Sequence, residues 1–330
     1  MSFDKVIGHE KPLNLLKAML VNDRLPHALL FTGPPGVGKR TLAVALAQAV
    51  NCLGPNPSEP CGRCSACRKI KRGVHPDLVE IEPEGRLRTI KIDRIRELRN
   101  QAAFRPFEGR TKVFIVREAD RMGAEAANAL LKTLEEPPPD TLIVLTSPEE
   151  SDLLPTIVSR CLRLNLAPLP GETIENWLIQ ERGVEAAQAR LLASLSGGCL
   201  GRVMDMDAET ILTQRQRIVN KLGLLDTRRI EPALDWASDL AGDREAWPEV
   251  FSLLRFWFRD LMIMVGGGDE RHLVNQDLAT ELRSAGTGKG PGTYIAALDE
   301  VERAEDALNR LVRPELVLEN LMLNLTDLGI

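Results

Sequence analysis

Aromatic residues are scarce in this chain of 330 residues: they make up 4%, and there is a single tyrosine. Its cores must therefore be built mainly from Leu, Ile, Val and Ala, which suits a helix-rich protein. A basic surplus is also missing. The 42 Lys and Arg face 47 Asp and Glu, for a formal net charge of -5. The field of the whole molecule does not attract nucleic acid, so any DNA contact must come from a local basic face or from partner subunits. Long apolar runs are absent too. Phe256 to Val265 is broken by Arg259 and Asp260 and is too short to span a bilayer. The opening Met1-Ser2-Phe3-Asp4-Lys5 carries charge where a secretory signal would need an apolar core. The expectation is a cytoplasmic protein without a membrane partner, whose thiols stay reduced.

What is present is the composition of a globular protein, 44% hydrophobic and 27% charged. The length exceeds one ordinary core, so two or three domains are expected. Through residue 166 strand and helix patterns alternate. The apolar runs at His27–Thr32, Asp77–Glu82, Lys112–Val116, Thr141–Thr146 and Leu162–Leu166 read as strands. Helical spacing appears at Arg40–Cys52, Ile92–Ala103 and Met122–Glu136, the last stopped by Pro137-Pro138-Pro139. That alternation predicts an α/β domain with a mainly parallel sheet over residues 1–167. Beyond Pro168-Leu-Pro-Gly171 the strand signal disappears. Residues 168–207 read as a small helical lid, and residues 208–330 as an all-α C-terminal domain.

Gly33-Pro-Pro-Gly-Val-Gly-Lys39 stands between a strand and a helix, as a phosphate-binding P-loop requires. Glycines at 33, 36 and 38 let backbone N–H groups close around phosphate, and Lys39 would reach the terminal phosphates. The next residue breaks the rule. A P-loop has Ser or Thr there to hold Mg²⁺, and this chain has Arg40. Thr41 lies about 100° further around the helix and should not substitute. After the Lys112–Val116 strand, an ATPase of this kind needs an acidic pair, one member supporting the metal and the other activating water. Here the pair is Arg117-Glu118, so only the water-activating carboxylate survives. Two arginines at both metal-support positions argue against efficient phosphoryl transfer, which relies on the metal for charge neutralisation. ATP binding is left open, because Lys39 and the backbone cradle persist.

Cys52, Cys61, Cys64 and Cys67 form a C-x8-C-x2-C-x2-C insert among loop glycines and prolines. Four thiolates at short spacing in a reduced compartment read as a closed, structural Zn²⁺ site. An iron–sulfur cluster is the main rival; zinc is preferred because no downstream Cys-Pro continues the run. Two disulfides fit less well. Cys161 and Cys199 read as ordinary buried or motif-framing thiols.

Several cations call for two readings. Arg160, in Ser159-Arg-Cys161, could reach a neighbour's ATP site or simply make a surface ion pair, and the tripeptide alone favours the second. Arg202 could approach this chain's own phosphate loop or serve a helix start, with nothing to separate the two. Arg86, Arg88, Lys91, Arg94, Arg96 and Arg99 form the densest basic stretch, by default a solvated helix face and as the minority reading a DNA-facing patch, without aromatics for base stacking. Gly286-Thr-Gly-Lys-Gly290 follows no strand and reads as a loop.

Ala126-Ala-Asn-Ala-Leu-Leu-Lys-Thr-Leu-Glu-Glu-Pro137, Ser159-Arg-Cys161 and the four-cysteine insert together resemble the bacterial clamp-loader AAA+ subunits of DNA polymerase III. Ile7-Gly8-His9 looks like that family's adenine-side motif, which brings Ile7 into the nucleotide site. His75-Pro-Asp77, Arg105-Pro-Phe-Glu-Gly109 and the closing stretch Pro314–Leu325 match as well. The likeness is strong through residue 165 and thin over 205–300. The hydrolysing gamma/tau branch keeps the P-loop Ser/Thr and the acidic pair; Arg40 and Arg117 make this chain similar to the delta-prime branch. An active gamma/tau-type ATPase is the alternative. The resemblance implies that Arg160 completes the ATP site of a neighbouring gamma/tau subunit in trans. It also implies a hetero-oligomeric ring with gamma/tau and delta, joined by a collar beyond residue 208, that places a sliding clamp on primed DNA.

Overall fold

A computed structural model describes the chain except for residues 1, 2, 4, 5, 57, 86, 87, 205 and 311. Arg86 of the basic stretch therefore lies outside the described residues. The chain divides into two units: Met1–Pro170 with Gly198–Arg202, and Gly171–Gly197 with Val203–Ile330.

The first unit is built on five strands, β1 (Ala28–Thr32), β2 (Leu78–Ile81), β3 (Lys112–Val116), β4 (Thr141–Ser147) and β5 (Leu162–Asn165). Their order is β2-β3-β4-β1-β5, and every pairing is parallel. The three central strands are buried along their whole length, whereas β2 and β5 at the edges are only partly covered. That difference is why the central strands read as unbroken apolar runs and β2 as an alternating one.

Helices α1 (Glu10–Val21), α2 (Lys39–Asn51), α3 (Ser65–Lys71), α4 (Ile92–Ala102), α5 (Ala124–Glu135) and α6 (Pro155–Val158) complete this unit, with α9 (Leu200–Met204) returning to it at its start. Leu29 and Phe31 of β1 face a core that includes Leu16, Leu42 and Leu46, while Ala28 and Leu30 face Ile95, Leu98 and Leu130. Successive residues of one strand thus serve opposite faces, and each face is covered by helices. The expected helix from Met122 begins at Ala124 instead. Glu118 adopts φ 48°, a short 3-10 turn follows at Ala119–Arg121, and extended Gly123 caps the helix. Helices α1 and α3 escaped the sequence reading.

The second unit is helical: α7 (Gly171–Arg182), α8 (Ala186–Leu195), α10 (Ala208–Leu222), α11 (Glu231–Gly242), α12 (Trp247–Val265), α13 (Ala279–Gly286), α14 (Pro291–Asn309) and α15 (Pro314–Asp327). Helix α7 packs on α8, α12 on α14, and α11 on α15. A fully buried carboxylate, Asp260 of α12, accepts hydrogen bonds from the backbone N–H groups of Val274 and Asn275. It pins the segment after Gly266–Gly268 back onto the bundle. Among the described residues, no helix is long and apolar enough to cross a membrane.

Candidate functional site

The phosphate loop leaves the carboxyl end of β1 and enters α2, the position where open parallel sheets bind ligands. Its backbone is one that only glycine permits. Gly33 has φ 136°, and a Cβ there would stand 2.2 Å from the Leu166 carbonyl oxygen. Gly38, at φ 114°, is the N-cap of α2. The Gly36 carbonyl accepts a 2.8 Å hydrogen bond from the Gly201 N–H, which ties the start of α9 to the loop.

Gly36, Gly38, Lys39 and Glu118 line one cavity of about 500 Å³, together with Arg40 and Asp120. Four of the expected nucleotide-site residues are thus brought together. Gly33 shapes the loop from behind. Ile7 is half-buried and is not among the lining residues, and neither is Arg202, although its side chain packs over Gly36. Lys39 turns its ammonium back onto the carbonyls of Gly33 and Pro34. Burial lowers its pKa, against the opposing pull of Cys199, Asp120 and Glu118.

Neither arginine is loose in the cavity. Arg40 makes a two-pronged ion pair with Glu80 of β2, at 2.7 and 2.8 Å. Arg117 pairs with Glu82, just past the same strand. Glu118 is held by Arg88 at 2.7 and 2.9 Å, and its N–H donates to the Thr146 hydroxyl. Among the cavity residues not anticipated, Thr41 and Asp120 bear on its chemistry. Thr41 lines the wall despite its rotation away from position 40. Asp120 presents a buried Oδ1 without a hydrogen-bond partner, and burial pushes its carboxyl pKa up. The only sequence signal for Asp120 was an acid two residues beyond the degenerate pair.

Arg160 stands elsewhere. Its guanidinium is 2.6 Å from Glu135 and donates to the Thr156 carbonyl, which is the surface ion pair of the plainer reading. Half of the basic stretch is likewise paired. Arg94 meets Glu84 and Glu97, Arg96 meets Asp93, and Arg88 meets Glu118.

The Sγ atoms of Cys52, Cys61, Cys64 and Cys67 all lie within 4.8 Å of one another, so the four could hold a metal ion. None is in a disulfide. Cys64 caps α3, and backbone N–H groups of Gly54 and Cys61 point at the Cys52 sulfur, at 3.3 and 3.2 Å. Backbone N–H groups of Arg63 and Cys64 draw the Cys61 thiol down to about 6, whereas burial pushes the Cys67 thiol up. N–H donors converging on sulfur favour thiolates, the form a metal binds.

Comparison with known proteins then bears on the whole chain. A family profile described as "DNA polymerase III, delta subunit" matches residues 8–170. DNA polymerase III subunit delta' of Pseudomonas aeruginosa is 34% identical, over 86% of this chain and 86% of that protein. The subunit delta' of Bacillus subtilis is 31% identical, over 96% and 95%. DNA polymerase III subunit tau of Salmonella typhimurium is 33% identical, but over 74% of this chain and 39% of its own length.

Proposed function

Because the chain belongs to the delta-prime family of DNA polymerase III subunits, we propose that it serves in the clamp loader as a stator rather than as a motor. One observation carries this reading: cations occupy both metal-support positions of the phosphate loop, and each is fixed by a carboxylate of the β2 edge. Phosphoryl transfer needs the metal to bridge and neutralise the phosphates. A chain that gives up those supports contributes to hydrolysis only through a neighbour.

Arg160 is the group that would do so. It sits between α6 and the edge strand β5 and is held by a partly exposed ion pair, which is weak enough to exchange Glu135 for a phosphate. In this reading Arg160 enters the ATP site of a gamma/tau subunit, residues 168–207 form the lid, and residues 208–330 form the collar of a hetero-oligomeric ring with gamma/tau and delta. The ring places the sliding clamp on primed DNA during replication. Cys52, Cys61, Cys64 and Cys67 hold one structural Zn²⁺, which braces the insert and takes no part in chemistry.

The test is a reconstituted complex carrying Arg160→Ala. Assembly is expected to survive, and turnover at the neighbouring site to fall by roughly a thousandfold. Total ATPase then drops by that site's share. Unchanged turnover removes the claim. The gamma/tau-type alternative has one foothold, the lining of the cavity by Thr41, Glu118 and Asp120. Turnover by the lone chain that vanishes with Lys39→Ala would favour it.

A further inference from the structure

Between Glu59 and Asp77 the chain carries Arg63, Arg68, Lys69, Lys71 and Arg72 and no acidic residue. Lys69 is paired with Glu108 at 2.6 Å. Arg63, Arg68, Lys71 and Arg72 are exposed and make no ion pair among the described residues. Ala66, Cys67 and Ile70 form the buried side of α3, so Arg68, Lys71 and Arg72, spaced i, i+3 and i+4, share its outer side. In a molecule of net negative charge, where Arg88, Arg94 and Arg96 of the other basic stretch are each answered by a carboxylate, four unpaired cations on and beside one short helix stand out. The C-terminal end of α3 and a tetrathiolate metal site would each favour some positive charge nearby. Neither explains what lies next to it.

The loop after α4 exposes two phenyl rings, Phe104 at 71% and Phe107 at 85%. Its backbone is not loose. Buried Asp77 accepts from the N–H groups of Phe107, Glu108 and Gly109 at 2.6 to 2.9 Å. Buried Asn51 accepts from those of Arg110 and Thr111. The Lys112 ammonium donates to the carbonyls of Gln101 and Phe104. Three side chains thus hold the loop in a shape that keeps large apolar rings in water, where a ligand that covers them would gain the burial the fold forgoes. The Lys69–Glu108 pair fastens this loop to α3, with Phe107 the next residue.

Unpaired cations on a helix tied to the loop that presents Phe107 are the elements of a single-strand site. Phosphates take the cations, and unpaired bases stack on the rings. We infer that α3 and the Phe104–Phe107 loop form a binding surface for single-stranded nucleic acid. Duplex suits it less, because its bases are already stacked. The surface goes beyond the stator role and does not rest on it, since the isolated full chain is what is tested.

The measurement is anisotropy of a fluorescein-labelled oligothymidylate titrated with the full chain over a range of salt. Salt-sensitive binding is expected. Lys71→Ala with Arg72→Ala should weaken it at least about tenfold at moderate salt and flatten the logarithmic salt slope by about 0.7 for each phosphate no longer neutralised. Phe107→Ala should weaken binding by about 5- to 100-fold at an unchanged slope. Arg94→Ala with Arg96→Ala should change little. Circular dichroism and metal content of each variant report that the fold is intact. No binding by the parent chain, or equal losses from the two basic pairs, overturns the inference. Phe107→Ala that spares oligonucleotide binding but weakens subunit association would assign the rings to a protein partner and likewise overturn it.

Discussion

The phosphate loop and the cysteine module stand at opposite ends of α2, and both were announced by residue spacing alone. In the cysteine module every expected side chain arrives, and four sulfurs converge within one metal's reach. In the phosphate loop the backbone arrives and the metal-supporting side chains do not. Gly33, Gly36 and Gly38 keep the strained turn and Lys39 keeps its place, while Arg40 and Arg117 turn aside to Glu80 and Glu82. A glycine motif prescribes the path of the chain, which the sheet and α2 need whether or not a nucleotide binds. Metal support is prescribed by single side chains at the rim. Those can be replaced without disturbing the core.

The comparison predicts a graded response to substitution. The largest effect belongs to the module. Cys64→Ser should reduce bound zinc from about one equivalent per chain to none and unfold residues around α3, because ligand convergence and local folding are one event. Metal analysis and hydrogen exchange read both. Iron in place of zinc, or full protection without metal, would break the contrast.

An intermediate effect belongs to the Phe104–Thr111 loop, which the Lys69–Glu108 pair fastens to α3. Asp77→Asn should cost about 1–3 kcal/mol, the penalty for weakening a buried acceptor of several N–H groups. Burial alone would push the Asp77 carboxyl up, but the N–H groups of Phe107, Glu108 and Gly109 outweigh it and hold the group below the ordinary carboxylate range. With its folded pKa depressed, Asp77 stabilises above the unfolded value, about 3.9, and that contribution fades as pH falls through the folded value. Denaturation of the parent chain should therefore show an acid limb below about pH 4 that Asp77→Asn flattens. Parallel limbs in the two proteins would remove this role.

The smallest effect on stability belongs to the phosphate loop. Arg40→Thr with Arg117→Asp breaks two partly exposed ion pairs and should change stability by less than about 1 kcal/mol each. Magnesium-dependent ATP binding, followed by calorimetry, should strengthen nonetheless. If ATP affinity stays indifferent to magnesium, the arginines are not what spoils the site.

Much of the first unit was legible beforehand. Its five strands fall within a residue or two of the apolar runs, because central strands of a parallel sheet are buried on both faces and leave unbroken hydrophobic stretches. The second unit showed only that it is helical. Helix α3 was hidden because its residues were read as metal ligands and charges. Asp120 was hidden because a carboxylate two places from a recognised pair has no signal until burial and an unanswered Oδ1 set it apart. Arg94 and Arg96 read as part of a solvated helix face, and the structure shows Glu84, Glu97 and Asp93 paired with them there.

Taken by itself, the chain's order of residues decided the strand and helix pattern, the turn that only glycines permit, the ligand spacing and the loss of metal support. These are local properties, written within a few residues of one another. Which distant group answers which charge was decided by the tertiary structure. Arg40 finds Glu80 forty positions away, and Asp77 finds the Phe107–Gly109 backbone some thirty away. The sheet brings β2 and β3 side by side in one register and their flanking loops with them. Electrostatic neighbours follow distance in space, and strand order and register set that distance.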